Sequence, residues 1–235
     1  MPQQFVHGSD FHYRADPANN VEINSVVARW CWSYPNAIRT YTGDVTSNGT
    51  SAEYELAVPR LTTTAPAGLI VCPGNHDEEW AGNFYNPFAR RRFEKAFNVN
   101  SWPQLVIPCA GVVIIALDSV CHTLSPLDFA CGKIGSSQRQ ALDGLLTHYE
   151  AWTRVVMLHH HPWDRGFGHY LIDARQFLEV CRNRVDLLLF GHNHVREAYA
   201  DIQGIRYALA AGKAADADSS WLVNMDGNRI TYEGI

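Results

Sequence analysis

The chain has 235 residues, 46% of them hydrophobic and 18% charged, with a formal net charge of -5. That length supports one substantial core, and so apolar a composition excludes a mainly disordered chain. The negative balance, with Arg and Lys in a run only at Arg90 to Arg92, disfavours extended binding to a nucleic-acid backbone and suits a small substrate better.

The longest apolar run, Leu105 to Leu117, spans about 13 residues and contains Pro108 and Gly111, so it falls short of the roughly 20 needed to cross a bilayer. Met1 to Asp10 shows no basic n-region, apolar h-region or small-residue cleavage site, and a cytoplasmic protein is expected. Six cysteines without short paired spacing, in a chain of this size, are expected to be reduced and mostly buried.

In chain order, apolar runs alternate with helix-like stretches, the pattern of sheets layered with helices. Strands are expected at Gln4 to Ser9, Ile38 to Thr42, Gly68 to Cys72, Val112 to Leu117, Arg154 to Leu158 and Val185 to Phe190. Val26, Val27 and Trp30 keep helical spacing within Val21 to Trp30, and Pro35 ends that segment. Asn86 as N-cap and Pro87 at the first position open a second helix, with Ala89, Phe93, Ala96 and Phe97 on one face and arginines on the other. Ser137 with Gln140 reads as a capping box before Leu142, Leu145 and Leu146, and Asp173 with Gln176 as a looser one before Phe177, Leu178 and Cys181. After His194 come strands at Glu197 to Ile202, Ile205 to Ala210, Trp221 to Met225 and Ile230 to Tyr232, punctuated by Gln203-Gly204 and Asp226-Gly227. Without repeat, low-complexity stretch or linker, residues 1 to 235 read as one domain. Ser119 to Gly135 and Pro162 to Ile172 are long irregular connections suited to forming a site.

Six of the eleven histidines fall in three short segments, against the scatter expected of surface histidines. Five strand ends deliver polar blocks: Ser9-Asp10-Phe11-His12, Gly43-Asp44, Gly74-Asn75-His76-Asp77, His159-His160-His161-Pro162 and Gly191-His192-Asn193-His194. In an extended chain residues i and i+2 point the same way, so Asp10 with His12, and His192 with His194, can each present a pair to one side. Carboxylates with imidazoles, and no cysteine among them, suit borderline divalent ions such as Mn, Fe, Co, Ni or Zn. Seven candidate ligands exceed the positions around one ion, so two ions are expected.

These blocks, in this order, resemble the calcineurin-like metallophosphoesterase superfamily with its D-x-H, G-D, G-N-H-D/E, H and G-H-x-H signatures. The resemblance implies an α/β fold of four layers, αββα, in which two mixed β-sheets are flanked by helices. It implies that Asp10, His12 and His194 bind one metal, Asn75, His159 and His192 the other, and that Asp44 bridges them. His159, which directly continues its strand, is taken ahead of His160, and the choice between the two stays open. His76 is implied to face the substrate phosphate as charge stabiliser or general acid, with Asp77 orienting its ring and raising its pKa. Two such ions activate water near neutral pH and neutralise phosphate oxygens during in-line attack, and a protonated imidazole assists a poor alkoxide leaving group. Asn75 contributes a neutral oxygen that limits negative charge near the phosphate.

Departures from the superfamily's branches narrow the choice. Val45 to Gly49 lacks the Asp-Arg-Gly of protein serine/threonine phosphatases, and lipid A precursor hydrolases carry Arg where His76 stands. Gly-Asp-x-Thr-x-x-Gly, Gly-Asn-His-Asp and His-His-His-Pro are similar to class III cyclic nucleotide phosphodiesterases and glycerophosphodiesterase-like enzymes. The expected activity is therefore hydrolysis of small phosphodiesters, with a phosphomonoesterase or nuclease as alternatives and a non-catalytic interaction module as a rival of another class. His160 and His161 read as groups that orient a ligand. Trp80, Trp163, Phe167, His169 and Tyr170 read as packing ahead of base stacking, and Arg90 to Arg92 as a solvated face ahead of a second phosphate site. His7, His122 and His148 read as structural or surface residues, and Cys72 as a buried, inert thiol.

Overall fold

In the computed structural model, which describes residues 3–78, 87–99, 101–121, 130–163 and 170–235, eleven strands form two mixed sheets. The first sheet runs β11-β10-β1-β2-β3, built from β1 (Gln3–Gly8), β2 (Ile38–Thr42), β3 (Leu69–Cys72), β10 (Trp221–Asp226) and β11 (Arg229–Gly234). The second runs β4-β5-β6-β7-β9-β8, from β4 (Gln104–Cys109), β5 (Val112–Ala116), β6 (Thr153–Met157), β7 (Leu187–Phe190), β8 (Glu197–Ile202) and β9 (Ile205–Ala210). β1, β2 and β3 are mutually parallel, as are β5, β6, β7 and β9.

Three apolar cores separate four layers, as expected for an αββα sandwich. Strand alternation explains the division. On β5, Val112, Ile114 and Ala116 face Phe5, Ile70 and Val223 of the other sheet. Val113 and Ile115 turn outward onto Leu142 and Leu146 of α4 (Gly135–His148) and Phe177 of α5 (Ala174–Cys181). Across the first sheet, Val6, Tyr41 and Val71 cover Val27 and Trp30 of α1 (Val21–Ser33), Ala57 and Leu61 of α2 (Ser51–Thr63) and Phe93 of α3 (Ala89–Phe97).

Several local expectations need correction. α2 and β4 were not anticipated. Thr50 caps α2 in a capping box with Glu53, a signal present in the sequence but hidden by Pro59 and the polar content of the segment. β4 merges with β5 into one apolar run broken at Gly111. α3 starts at Ala89 behind Phe88 in the left-handed region (φ 73°), so Pro87 precedes the helix; Asn86 lies outside the described residues. Ser137 and Gln140 form no capping box, because α4 already begins at Gly135 and Ser137 lies in its first turn. The free N–H groups of Ile134 and Gly135 donate instead to the Asp173 carboxylate, each at 2.9 Å, and Arg139 pairs with the same group. Asp173 stands at the N-cap of α5, as expected, but makes no side-chain cap there. One carboxylate therefore closes the start of the neighbouring helix.

No helix among the described residues is long and apolar enough to cross a membrane.

Candidate metal centre

The carboxyl ends of β1, β2, β3, β6 and β7 meet along one edge of the sandwich, and each carries one of the polar blocks. Backbone hydrogen bonds lace the blocks together: Asp10 N–H donates to the Gly43 carbonyl at 3.1 Å, His12 N–H to that of Asp44 at 2.9 Å, and Gly191 N–H to that of His159 at 2.9 Å. Asp10, His12, Asp44, His192 and His194 all adopt positive φ, from 49° to 78°. Non-glycine residues visit that region at an energetic cost, so such a concentration marks a site whose surroundings dictate the backbone. Asp10 and His12 turn to one side, as expected of that i, i+2 pair, but through kinked and not extended backbone. The kinks aim the side chains, and they send His192 and His194 in different directions.

Close approach imposes its own constraint. Gly43 (φ 86°) lies so near the next loop that a Cβ would come within 2.6 Å of the Gly74 nitrogen and 2.8 Å of His159 Nδ1. A Cβ on Gly74 would overlap the Asp44 carboxylate. Glycine at both positions is what allows the second and third blocks to touch.

Two groups of donor atoms result. In the first, Asp10, His12, Asp44 and His194 offer ligand atoms all within 4.8 Å of one another. His12 Nε2 is 3.0 Å from His194 Nε2 and 3.7 Å from Asp44 Oδ2, while Asp10 Oδ1 is 3.2 Å from His194 Nε2. Asp10 Oδ2 accepts the His192 N–H at 3.0 Å, whereas the buried Oδ1 has no aligned donor. In the second group, His159 Nε2 lies 3.1 Å from Asn75 Oδ1, 3.1 Å from His192 Nδ1 and 3.4 Å from Asp44 Oδ1. The Thr42 carbonyl accepts from His159 Nδ1 at 2.6 Å, which leaves Nε2 as the lone-pair nitrogen. The two Asp44 oxygens thus face different groups.

Lone pairs converging on one point repel unless a cation sits among them, and oxygen with imidazole nitrogen suits a borderline divalent ion. The electrostatics agree. Burial pushes His12 down to about 4 despite the pull of Asp44 and Asp10, so its ring is neutral and ligand-competent at pH 7. Burial alone would raise Asp10, but the facing His194 together with His159 and His12 holds it well below the usual carboxylate range. The same contact with Asp10 raises His194 against burial.

His76 stands at the rim, its ring 4.7 Å from that of His12 and its Nε2 4.0 Å from Asp44 Oδ2. The Ser47 carbonyl accepts from Nδ1 at 2.7 Å. Burial disfavours its charge, yet Asp44, Ser47 and Asp77 outweigh burial and hold its pKa above the ordinary value. Asp77 does not orient the ring, contrary to expectation. Its carboxylate accepts from the N–H groups of Val45, Thr46 and Gly74 and from the hydroxyls of Thr46 and Tyr54, clamping the loops after β2 and β3. Burial and the charge of Asp44 push Asp77 up to about 6.

Other sequence-flagged residues fall elsewhere. His160 Nδ1 pairs with Ser119 Oγ at 2.8 Å, and that hydroxyl also accepts the N–H groups of His159 and His160, so Ser119 is a support that no sequence signal marked. His161 Nε2 lies 3.6 Å from a Glu197 carboxylate oxygen. Arg90 is paired with Glu78, Glu94 and Asp118 and is not a solvated cation, while Arg92 donates to the Gly49 carbonyl. Trp163 packs edge-on against Phe190 and Tyr199. His7 is buried between the sheets, and Cys72 is buried with its thiol pushed up by burial. Trp80, His122, Phe167 and His169 lie outside the described residues.

Comparison with known proteins bears on this arrangement. A probable glycerophosphodiester phosphodiesterase GpdQ of Arcobacter nitrofigilis is 30% identical over 157 residues, 66% of this chain and 52% of that protein; the chain thus matches about half the length of that relative. The crystal structure of a dimetal phosphatase from Danio rerio superposes with a TM-score of 0.76 at 15% identity, covering 100% of this chain and 96% of the other. A purple acid phosphatase, PPD1, from yellow lupin superposes with a TM-score of 0.71 at 10% identity, covering 100% of this chain and 52% of the other. A family profile described as calcineurin-like phosphoesterase matches residues 5–196, a span that includes both donor groups, and the chain belongs to that family.

Proposed function

We propose that this chain is a dinuclear metal-dependent phosphoesterase that hydrolyses small phosphodiesters of the glycerophosphodiester or cyclic nucleotide kind. The observation that carries the reading is the position of Asp44, whose two oxygens face separate donor groups, with the Nε2 of His76 4.0 Å away. Asp10, His12 and His194 would hold one divalent ion, Asn75, His159 and His192 the other, and Asp44 would be shared between them. When bound, divalent ions of the Mn, Fe, Zn, Co or Ni kind would activate water and neutralise phosphate charge.

The chain's own residues supply the remainder. The Thr42 carbonyl fixes the tautomer of His159, and the Ser47 carbonyl fixes that of His76 with a proton on Nδ1. The Nε2 of His76 faces the centre, positioned to give a proton to the departing alkoxide. Asn75 contributes an oxygen without charge and so limits repulsion of the substrate. The name of the Arcobacter relative supports a diester over a monoester. The reading takes the chain as one domain in a reducing, cytoplasmic setting.

Turnover by Mn-supplemented protein of bis-nitrophenyl phosphate, nitrophenyl phosphate, cyclic AMP and a glycerophosphodiester tests the substrate class. The expected result is a diester kcat/KM at least about tenfold above the monoester value, a difference of about 1.4 kcal/mol. A monoester preference overturns it.

A further inference from the structure

Beside the first donor group lies a hollow of about 190 Å³ walled by Phe11, His12, Arg14, Glu22, Asn19 and Lys213, among others. Two positive charges there face one negative charge. Among the described residues neither Arg14 nor Lys213, both of which line the hollow, has a carboxylate within ion-pair distance.

Both cations stand on fixed backbone. The buried Asn20 side chain accepts the Arg14 N–H at 2.9 Å and donates to its carbonyl at 2.8 Å. Lys213 bridges to Ser9, and the following Ala214 N–H donates to the Ser9 carbonyl at 3.0 Å. Phe11 and Ile23, which also line the hollow, are buried at 2% and 3% exposure, and an apolar backing strengthens the attraction for an anion in front of it.

We infer that this hollow is a subsite for a second anionic group of the substrate, and that Arg14 and Lys213 select phosphate esters whose organic part bears a carboxylate or phosphate. The inference rests on the phosphoesterase reading and names its substrate class more narrowly. An ester held at the centre borders the hollow through His12, so one of its substituents enters between the two cations.

Calorimetric titration of metal-loaded protein with propylphosphonate, 3-phosphonopropionate and 3-aminopropylphosphonate tests this. 3-Phosphonopropionate is expected to bind about tenfold more tightly than propylphosphonate, two partly exposed ion pairs' worth. The gap is expected to fall below about twofold in the Arg14→Gln/Lys213→Gln double variant and to persist in Arg14→Lys. No gap in the wild type, or a gap that survives in the double variant, overturns the subsite; tighter binding of the amine overturns its sign and points to Glu22. Failure of all three phosphonates to bind is a different result, which overturns the phosphoesterase reading itself.

Discussion

His7 and His159 are both fully buried, yet they differ in what faces the second ring nitrogen. His7, within β1, sits 3.2 Å from the Thr40 carbonyl and 3.1 Å from that of Phe190, so its single N–H donates to one of these backbone oxygens and the ring packs between the two sheets. His159, one step past the end of its strand, spends Nδ1 on a carbonyl in the same way but turns Nε2 toward Asn75, His192 and Asp44. Burial is therefore no guide to role. A ring closed off by carbonyls is structural, and a ring that opens onto side-chain donors from several loops belongs to a site that concentrates positive charge.

Several perturbations sharpen that contrast, beginning with the largest. Asp44→Ala removes the group shared by both sets of donors. It is expected to lower metal content and cut kcat by more than about a hundredfold, beyond the range typical of outer partners of a metal site; unchanged stoichiometry by elemental analysis would sink the bridging role. His76→Ala leaves the donors intact. It is expected to retain the metals and lose about a hundredfold on an alkyl-leaving-group diester, with little loss on a nitrophenyl diester. The alkyl-ester rate should fall on the alkaline side as His76 loses its proton, and this limb should vanish in the variant.

Gly74→Ala forces the loops after β2 and β3 apart at Asp44. At least a tenfold fall in kcat/KM is expected, with the melting temperature moved by only a few degrees.

His7→Ala makes the opposite prediction, with metal binding retained and stability of the metal-free protein reduced by about 2–4 kcal/mol, a buried cavity plus one stranded carbonyl. Burial lowers His7 from 6.5 to about 4. The unfolded chain therefore takes up its proton first as pH falls, and up to about 3 kcal/mol of stability is lost between about pH 6.5 and pH 4. Denaturant midpoints should lose part of that pH slope in the variant. Tyr54→Phe, which deletes one of the donors to Asp77, should cost about 1 kcal/mol and leave metal content unchanged.

Much of this was legible in the sequence, because residue types with metal-binding chemistry stand directly after apolar strands, and both of those signals are local. Ser119, Ser47 and Thr42 were not legible, since their contributions are a hydroxyl or a backbone carbonyl placed by tertiary contact. The Asp173 carboxylate closes the start of α4 across 38 residues, and no local pattern encodes that reach. The resemblance implied that Asp77 orients His76, whereas backbone and hydroxyl donors from the neighbouring loop and Tyr54 hold it. The paired reading of His192 with His194 failed because positive φ at both residues replaces strand alternation with two separate aims.

The most direct test of the account is the number of divalent ions held per chain after metal loading and removal of excess, determined by elemental analysis on the wild type and on His159→Ala. The account predicts two ions per wild-type chain and about one in the variant, with the first donor group still filled. A wild-type chain that retains no ion, or a variant that binds as many as the wild type, would contradict it.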